Sequence, residues 1–308
     1  MSRWLVGVVA LTLVAGCLPN GFLSEDDPPP PPPSPGSVFV GDGFSCAGIS
    51  NPRTDEPAIV CWGANVATTY PPDVSLSRIM AAGRHACALG RDREVICWGD
   101  PDDLAAGPTP SLLTETLTVS PTHNCALHTA VIPVCWGTGP GAVVPQRPEF
   151  YGADIVAGSG HTCMRMYAGQ PPVCWGRDDL GQSSPPPIEF QQMVAGDGFT
   201  CGLTPITGPA GGMLVCWGRV LPNTPAGASF RNLYAAPSYV CGIDDAGMAR
   251  CWGDAPASVL SPPPVQFQSV AIGRDHGCGV TIEAEPMPPR VVCWGDNSQG
   301  QLDAPEIE

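Results

Sequence analysis

The chain has 308 residues, and its 37 Gly and 38 Pro make up nearly a quarter of them, which leaves little room for long helices. All 14 basic residues are Arg and the formal charge is −15, so lysine nucleophiles, Schiff bases and a P-loop lysine are excluded, and there is no basic footprint for nucleic acid. Apolar residues reach 43%, enough to build a core.

Residues 1–16 read MSRWLVGVVALTLVAG, with Arg3 as a positive start and an apolar run from Trp4 to Val14. The run is shorter than the roughly 20 residues a helix needs to span a bilayer. It leads into Val14-Ala15-Gly16-Cys17, which resembles the lipobox of bacterial lipoproteins. That resemblance implies cleavage before Cys17, a diacylglyceryl thioether on its sulfur and N-acylation, so the membrane partner is reached through a lipid. An ordinary signal peptide followed by an incidental cysteine is the plainer reading. Leu18, not Asp, follows the cysteine, and by resemblance to enterobacterial sorting this points to the outer membrane. Residues 17–37 form a linker whose six consecutive prolines, Pro28 to Pro33, favour an extended polyproline helix of about 3.1 Å per residue.

From residue 38 to 308 the chain repeats. Cys-Trp-Gly occurs seven times, with its cysteine at Cys61, Cys97, Cys135, Cys174, Cys216, Cys251 and Cys293. Each is preceded, 10 to 15 residues earlier, by Cys46, Cys87, Cys125, Cys163, Cys201, Cys241 or Cys278. These first cysteines recur every 37 to 41 residues. The seven pairs use every cysteine but Cys17, and Trp62, Trp98, Trp136, Trp175, Trp217, Trp252 and Trp294 are every tryptophan but Trp4.

Each unit opens with an apolar run ending in Gly, such as DIVAG (154–158) or SVAIG (269–273). A second strand carries Phe44, His85, His123, His161, Phe199, Tyr239 or His276 two residues before its cysteine, on the same face as that cysteine. A third, such as PAIVCWG, is apolar on both sides and predicts a strand buried on both faces. A short fourth strand is expected in Pro-rich stretches such as SPPPIEF (184–190) and SPPPVQF (261–267). Pro121 and Pro237, in the turns of units three and six, predict distorted strands there. Units of this size, each a small antiparallel sheet, suggest radial packing.

The pattern AGxxHTCxL…VxCWGxNxxGQL resembles the regulator of chromosome condensation repeat in a cysteine-rich bacterial form. The resemblance implies an all-β fold, a seven-bladed β-propeller. The family's Gly-Gln-Leu tail survives as Gly300-Gln301-Leu302 and, in part, as Gly181-Gln182. The chain starts a blade near Ser37 and ends one soon after Gln301, so the two ends are expected to close the ring.

Opposed residues of an antiparallel hairpin lie within disulfide range, which fits bridges from Cys46–Cys61 through Cys278–Cys293 in an exported protein. Bridges between neighbouring units, such as Cys61 to Cys87, are the rival connectivity. His-x-Cys at His85, His123, His161 and His276 raises metal binding, but no C-x₂₋₄-C pair accompanies it, and Phe44, Phe199 and Tyr239 take the same slot. The slot therefore reads as packing for a flat ring. Asp100, Asp102, Asp103, Asp178, Asp179, Asp254 and Asp296 follow Cys-Trp-Gly without calcium-loop spacing, and read as a solvated acidic rim. No catalytic residue, cofactor or metal is nominated, since no nucleophile-elbow, zinc-protease or dinucleotide-binding motif stands in its proper context.

The expected function is that of a lipid-anchored, stapled scaffold at the cell envelope, binding a protein or glycan through loops that differ between units. These include NPRTDEP (51–57), GPAGG (208–212) and AEPMPP (284–289). An extracellular polysaccharide lyase or hydrolase is the alternative. By the same resemblance, so is an enzyme inhibitor, since an exported relative of the fold inhibits β-lactamases. Export and net negative charge argue against the guanine-nucleotide exchange of the family's namesake.

Overall fold

The computed structural model describes residues 37–50, 57–64, 76–90, 92–100, 109, 113–128, 132–145, 151–167, 169–206, 210–283, 287 and 289–304. Among them the strands form seven antiparallel sheets, each drawn from one contiguous stretch of chain. Blade 1 is β1 (Val38–Val40), β2 (Phe44–Ser50) and β3 (Pro57–Gly63), and blade 2 is β4 (Leu76–Ala82), β5 (His85–Gly90) and β6 (Val95–Gly99). Blade 3 is β7 (Thr114–Val119), β8 (His123–His128) and β9 (Pro133–Gly137), and blade 4 is β10 (Gly152–Ala157), β11 (His161–Met166) and β12 (Val173–Gly176). Blade 5 is β13 (Gln192–Ala195), β14 (Phe199–Leu203), β15 (Gly212–Gly218) and β16 (Ser229–Phe230). Blade 6 is β17 (Asn232–Ala235), β18 (Tyr239–Ile243) and β19 (Ala249–Gly253), followed by the short helix α1 (Ala257–Leu260). Blade 7 is β20 (Phe267–Ile272), β21 (His276–Thr281) and β22 (Val291–Gly295).

The first strands pack side by side around a closed ring: β1 on β4, β4 on β7, β7 on β10, β10 on β13, β13 on β17, β17 on β20, and β20 back on β1. This is a seven-bladed propeller. Among the described residues no strand is exchanged at the seam between blades 7 and 1. Instead Val38, Val40, Ala47 and Trp62 pack directly on Cys278 and Val280.

The core lies between blades, and the middle strands carry it. Every residue of β5, β14, β18 and β21 is buried. The third strands are not buried on both faces as their apolar runs predict: β6, β9 and β22 are mostly half-buried. Among the described residues they are the outermost strand in every blade but the fifth, so one edge is left without a partner strand there. A fourth strand appears in blade 5 as β16, paired with the start of β15, and blade 6 has a single bridge between Met248 and Gln266.

The prolines leave their strands intact. The register of β17 on β18 runs without a break, and the shift between Thr114 and Thr116 in blade 3 has counterparts in blades 2, 4 and 7. Pro237 sits in the turn itself, where its missing N–H is not needed and its carbonyl accepts from Asp197 N–H at 2.7 Å.

The glycine of every Cys-Trp-Gly has positive φ, from +85° at Gly218 to +141° at Gly99. At Gly176 a Cβ would lie 2.6 Å from the Gly160 carbonyl oxygen and 2.9 Å from His161 Cα. Both backbone conformation and close approach therefore demand glycine there.

Candidate binding faces

Each cysteine pair stands directly opposed across the second and third strands of one blade, from Cys46–Cys61 to Cys278–Cys293, and each is bridged with Cα atoms 4.0 Å apart. The bridges between neighbouring units do not occur in the structure. Cys17 lies outside the described residues.

Every tryptophan of the repeat packs on the preceding blade. Trp62 reaches blade 7, Trp98 blade 1, Trp136 blade 2, Trp175 blade 3, Trp217 blade 4, Trp252 blade 5 and Trp294 blade 6. Among the described residues, four of them donate their indole N–H to a carbonyl in the loop that follows the preceding blade's Cys-Trp-Gly. Trp62 donates to Gln301 (2.9 Å), Trp175 to Gly141 (3.0 Å), Trp217 to Gln182 (3.0 Å) and Trp294 to Val259 (2.9 Å). The Gly-Gln tail has a clear task here. The buried Gln182 side chain accepts from Leu180 N–H (2.8 Å) and donates to Asp179 (2.9 Å), and Gln301 does the same with Gln299 (2.8 Å) and Asp296 (3.0 Å). Each folds its loop so that its own carbonyl meets the next blade. Where the motif is missing, a 3₁₀ turn at Pro140–Ala142 and helix α1 present Gly141 and Val259 instead.

The histidines are buried as packing rings, but they also bond across the blade interface. Nε2 of His85 lies 3.1 Å from Asn124 Oδ1, that of His123 2.7 Å from Thr162 Oγ1, that of His161 2.8 Å from Thr200 Oγ1, and that of His276 2.8 Å from Ser45 Oγ. Thr162 gives its proton to the Gly141 carbonyl (3.0 Å) and Ser45 gives its own to the Gln301 carbonyl (3.1 Å), so His123 and His276 donate through Nε2–H. Each of these carbonyls thus accepts twice from the following blade, which pins the loop that carries it. The residue between the ring and the cysteine has no distinctive type within one repeat, and its role shows only against the repeat before it.

Burial holds His123, His161 and His276 at about 4, against 6.5 for the free group. Between those values the unfolded chain binds more protons than the folded one. Stability should therefore be complete above about pH 6.5 and fall as pH drops toward 4, by up to about 1.4 kcal/mol per pH unit for each histidine. Urea midpoints measured from pH 7.5 to 4.5 check this; a flat profile would contradict it.

One face of the ring carries the turns between first and second strands together with the loops after Cys-Trp-Gly. Backbone bonds tie the two sets together: Asp100 to Arg84 (3.1 Å), Thr138 to Thr122 (2.8 Å), Arg177 to Gly160 (2.8 Å), Arg219 to Gly198 (2.7 Å), Asp254 to Ser238 (2.9 Å) and Asp296 to Asp275 (2.8 Å). The face is acidic. Arg84 pairs with Asp100 (2.7 Å), Arg274 with Asp42 (3.4 Å), and Arg177 with Asp179 (2.6 Å) and Asp197 (3.4 Å). The Arg177 hydrogen bond holds Asp179 at about 2. Asp178 accepts from Ser183 N–H and Ser184 O–H, both within the loop, while Asp102 and Asp103 lie outside the described residues. Among the described residues no group of three or more His, Cys, Asp and Glu is placed to hold a metal ion.

Three large aliphatic side chains stand out on this face in consecutive blades: Val143 is 70% exposed, Leu180 46% and Val220 88%. The opposite face carries the hairpin tips, with Tyr167, Ile206, Met213, Ile282 and Met287 exposed. Between the faces runs a channel of roughly 490 Å³, walled by the seven first strands, with Asp154, Gln192 and Tyr234 among its polar lining.

Residues 267–301 match the Regulator of chromosome condensation (RCC1) repeat. The fold is similar to the ectodomain of the receptor kinase CR4 from Physcomitrella patens, at 28% identity and a TM-score of 0.69, over 84% of this chain and 73% of that one. It is also similar to the CRINKLY ectodomain of the Arabidopsis thaliana receptor kinase ACR4, at 22% identity and a TM-score of 0.68, over 84% and 96% of the two chains. Prp20p from Saccharomyces cerevisiae, with its binding properties toward Gsp1p and histones, matches at 15% identity and a TM-score of 0.60, over 86% and 84%. The chain is an RCC1-like propeller with seven disulfides.

Proposed function

We propose that the protein is an exported scaffold, tethered to the bacterial envelope through a lipid on Cys17, that binds a protein or glycan on its turn-and-loop face. The observation that carries this is the contrast on that face between a fixed framework and a variable display. Bridges, indoles and histidines lock the frame, while the loops between them present Val143, Leu180 and Val220 beside a surplus of Asp. Isolated exposed aliphatics are ordinary, and it is their recurrence on three adjacent blades of one face that supports this reading. The likeness to the CR4 ectodomain supports a place outside the cell, as does the density of disulfides.

Cys17→Ala should move the full chain from the membrane to the soluble fraction; retention in membranes would overturn the anchor. The soluble variant then serves for capture from envelope extracts, beside Leu180→Asp/Val220→Asp and a Met287→Asp control on the opposite face. A specific protein or glycan kept by the control and lost by the double variant supports the reading. Capture of nothing, or equal loss in both, overturns it.

A further inference from the structure

At four interfaces the ring residue of one blade faces the residue that precedes the first cysteine of the next blade, and the same two repeat positions are matched in type at all seven. His85 faces Asn124, His123 faces Thr162, His161 faces Thr200 and His276 faces Ser45, each at hydrogen-bond distance. The same side chains also touch the preceding blade's disulfide sulfur. Asn124 Nδ2 is 3.7 Å from Cys87 Sγ, Thr162 Oγ1 3.6 Å from Cys125, Thr200 Oγ1 3.7 Å from Cys163 and Ser45 Oγ 3.4 Å from Cys278. Where the ring is not histidine, the facing residue is apolar: Phe44 precedes Ala86, Phe199 precedes Val240 and Tyr239 precedes Gly277. The Tyr239 hydroxyl donates to the Gly273 carbonyl instead (2.9 Å).

We infer that these two positions form a key and lock of two types, polar against polar and apolar against apolar, that favours native neighbours over skipped blades at blades 1, 4 and 7, where the type changes along the ring. A histidine against Ala, Val or Gly leaves a buried donor without a partner, and a phenylalanine against Thr, Asn or Ser takes a donor away from a buried polar oxygen. Repeats alike enough to pack in any order are prone to misdock, and multidomain chains fail characteristically in this way. Where the type changes along the ring, a skipped blade meets the wrong lock, as for His161 against Val240 and His276 against Ala86. Blade 1, keyed by Phe44, accepts Ala86 of blade 2 but not Asn124 of blade 3 or Thr162 of blade 4. The seam closes with a polar pair, His276 on Ser45, while its neighbour between blades 1 and 2 is apolar.

The test is a pair of double-mutant cycles in the full chain. His161→Phe and Thr200→Val should each lower the thermal midpoint by about 3–8 °C, and the double variant by less than the larger single loss. In the opposite sense, Phe199→His and Val240→Thr should each be destabilising alone, with part of the loss recovered together. Oxidative refolding supplies a second readout for singles too unstable to melt: peptide mapping should show the native disulfide set in a smaller fraction of the mismatched chains and recovery in both doubles. Additive losses in both cycles, or refolding yields that track stability alone, would overturn the inference.

Discussion

Trp62→Ala is expected to remove about 3–5 kcal/mol of stability, the ordinary cost of truncating a large buried aromatic. The indole is 8% exposed and packs across the seam on Cys278 and Val280. Its N–H donates to the Gln301 carbonyl at 2.9 Å, and the Ser45 hydroxyl donates to the same oxygen at 3.1 Å. Alanine leaves a cavity where no strand is shared between the ends of the ring, so nothing covalent spans the gap. Trp62→Phe keeps most of the bulk and should cost less. Denaturant titration gives the losses, and limited proteolysis should show earlier cleavage near the seam than in blade 4. An alanine variant within 1 kcal/mol of the parent would mean that the seam does not depend on the indole.

The double substitution Cys163→Ala/Cys174→Ala should cost about 3 kcal/mol, since the bridge closes a loop of about 11 residues in the unfolded chain. Both partners are replaced together so that no stray thiol remains to exchange. Cys163 is fully buried and touches Thr200 of the next blade, so the loss should also weaken that interface. The companion measurement is the intact mass of the native chain after alkylation, with and without prior reduction. The fourteen paired cysteines should take label only after reduction. Label on any of them in the native chain would contradict the pairing.

Much of this fold can be read from the amino acids because its specification is local. Cysteines that face each other across a hairpin are only 10 to 15 residues apart, so period and pairing appear within a single repeat. The Gly of Cys-Trp-Gly is legible for the same reason. The half-burial of the third strands is not, because an apolar run does not reveal that its far edge meets solvent. Nor is the packing of Phe190 on Trp217, Phe230 on Trp252 and Phe267 on Trp294, with ring centroids 5.3, 5.3 and 5.6 Å apart. Each of these rings also lies over a glycine after the first cysteine, Gly202, Gly242 or Gly279, and this becomes a pattern only once the stretch before each blade is known to fold onto the blade that follows it. The bonds from His85, His123, His161 and His276 join one repeat to the next, so a unit read alone shows only an aromatic slot. The channel belongs to no repeat; it exists because the ring closes.

That closure without a shared strand makes the choice of first blade arbitrary. Each sheet is contiguous in sequence and holds its own bridge, and the contacts between blades 7 and 1 have the same chemistry as those between blades 3 and 4. Ser45 and Gln301 already touch, so the described ends of the propeller lie near one another. A chain reopened in the loop between blades 4 and 5, with a short linker joining the old ends, keeps every disulfide, every indole contact and every histidine pair. The protein is in this sense a circle written as a line, and circular permutants could begin at any of its blades.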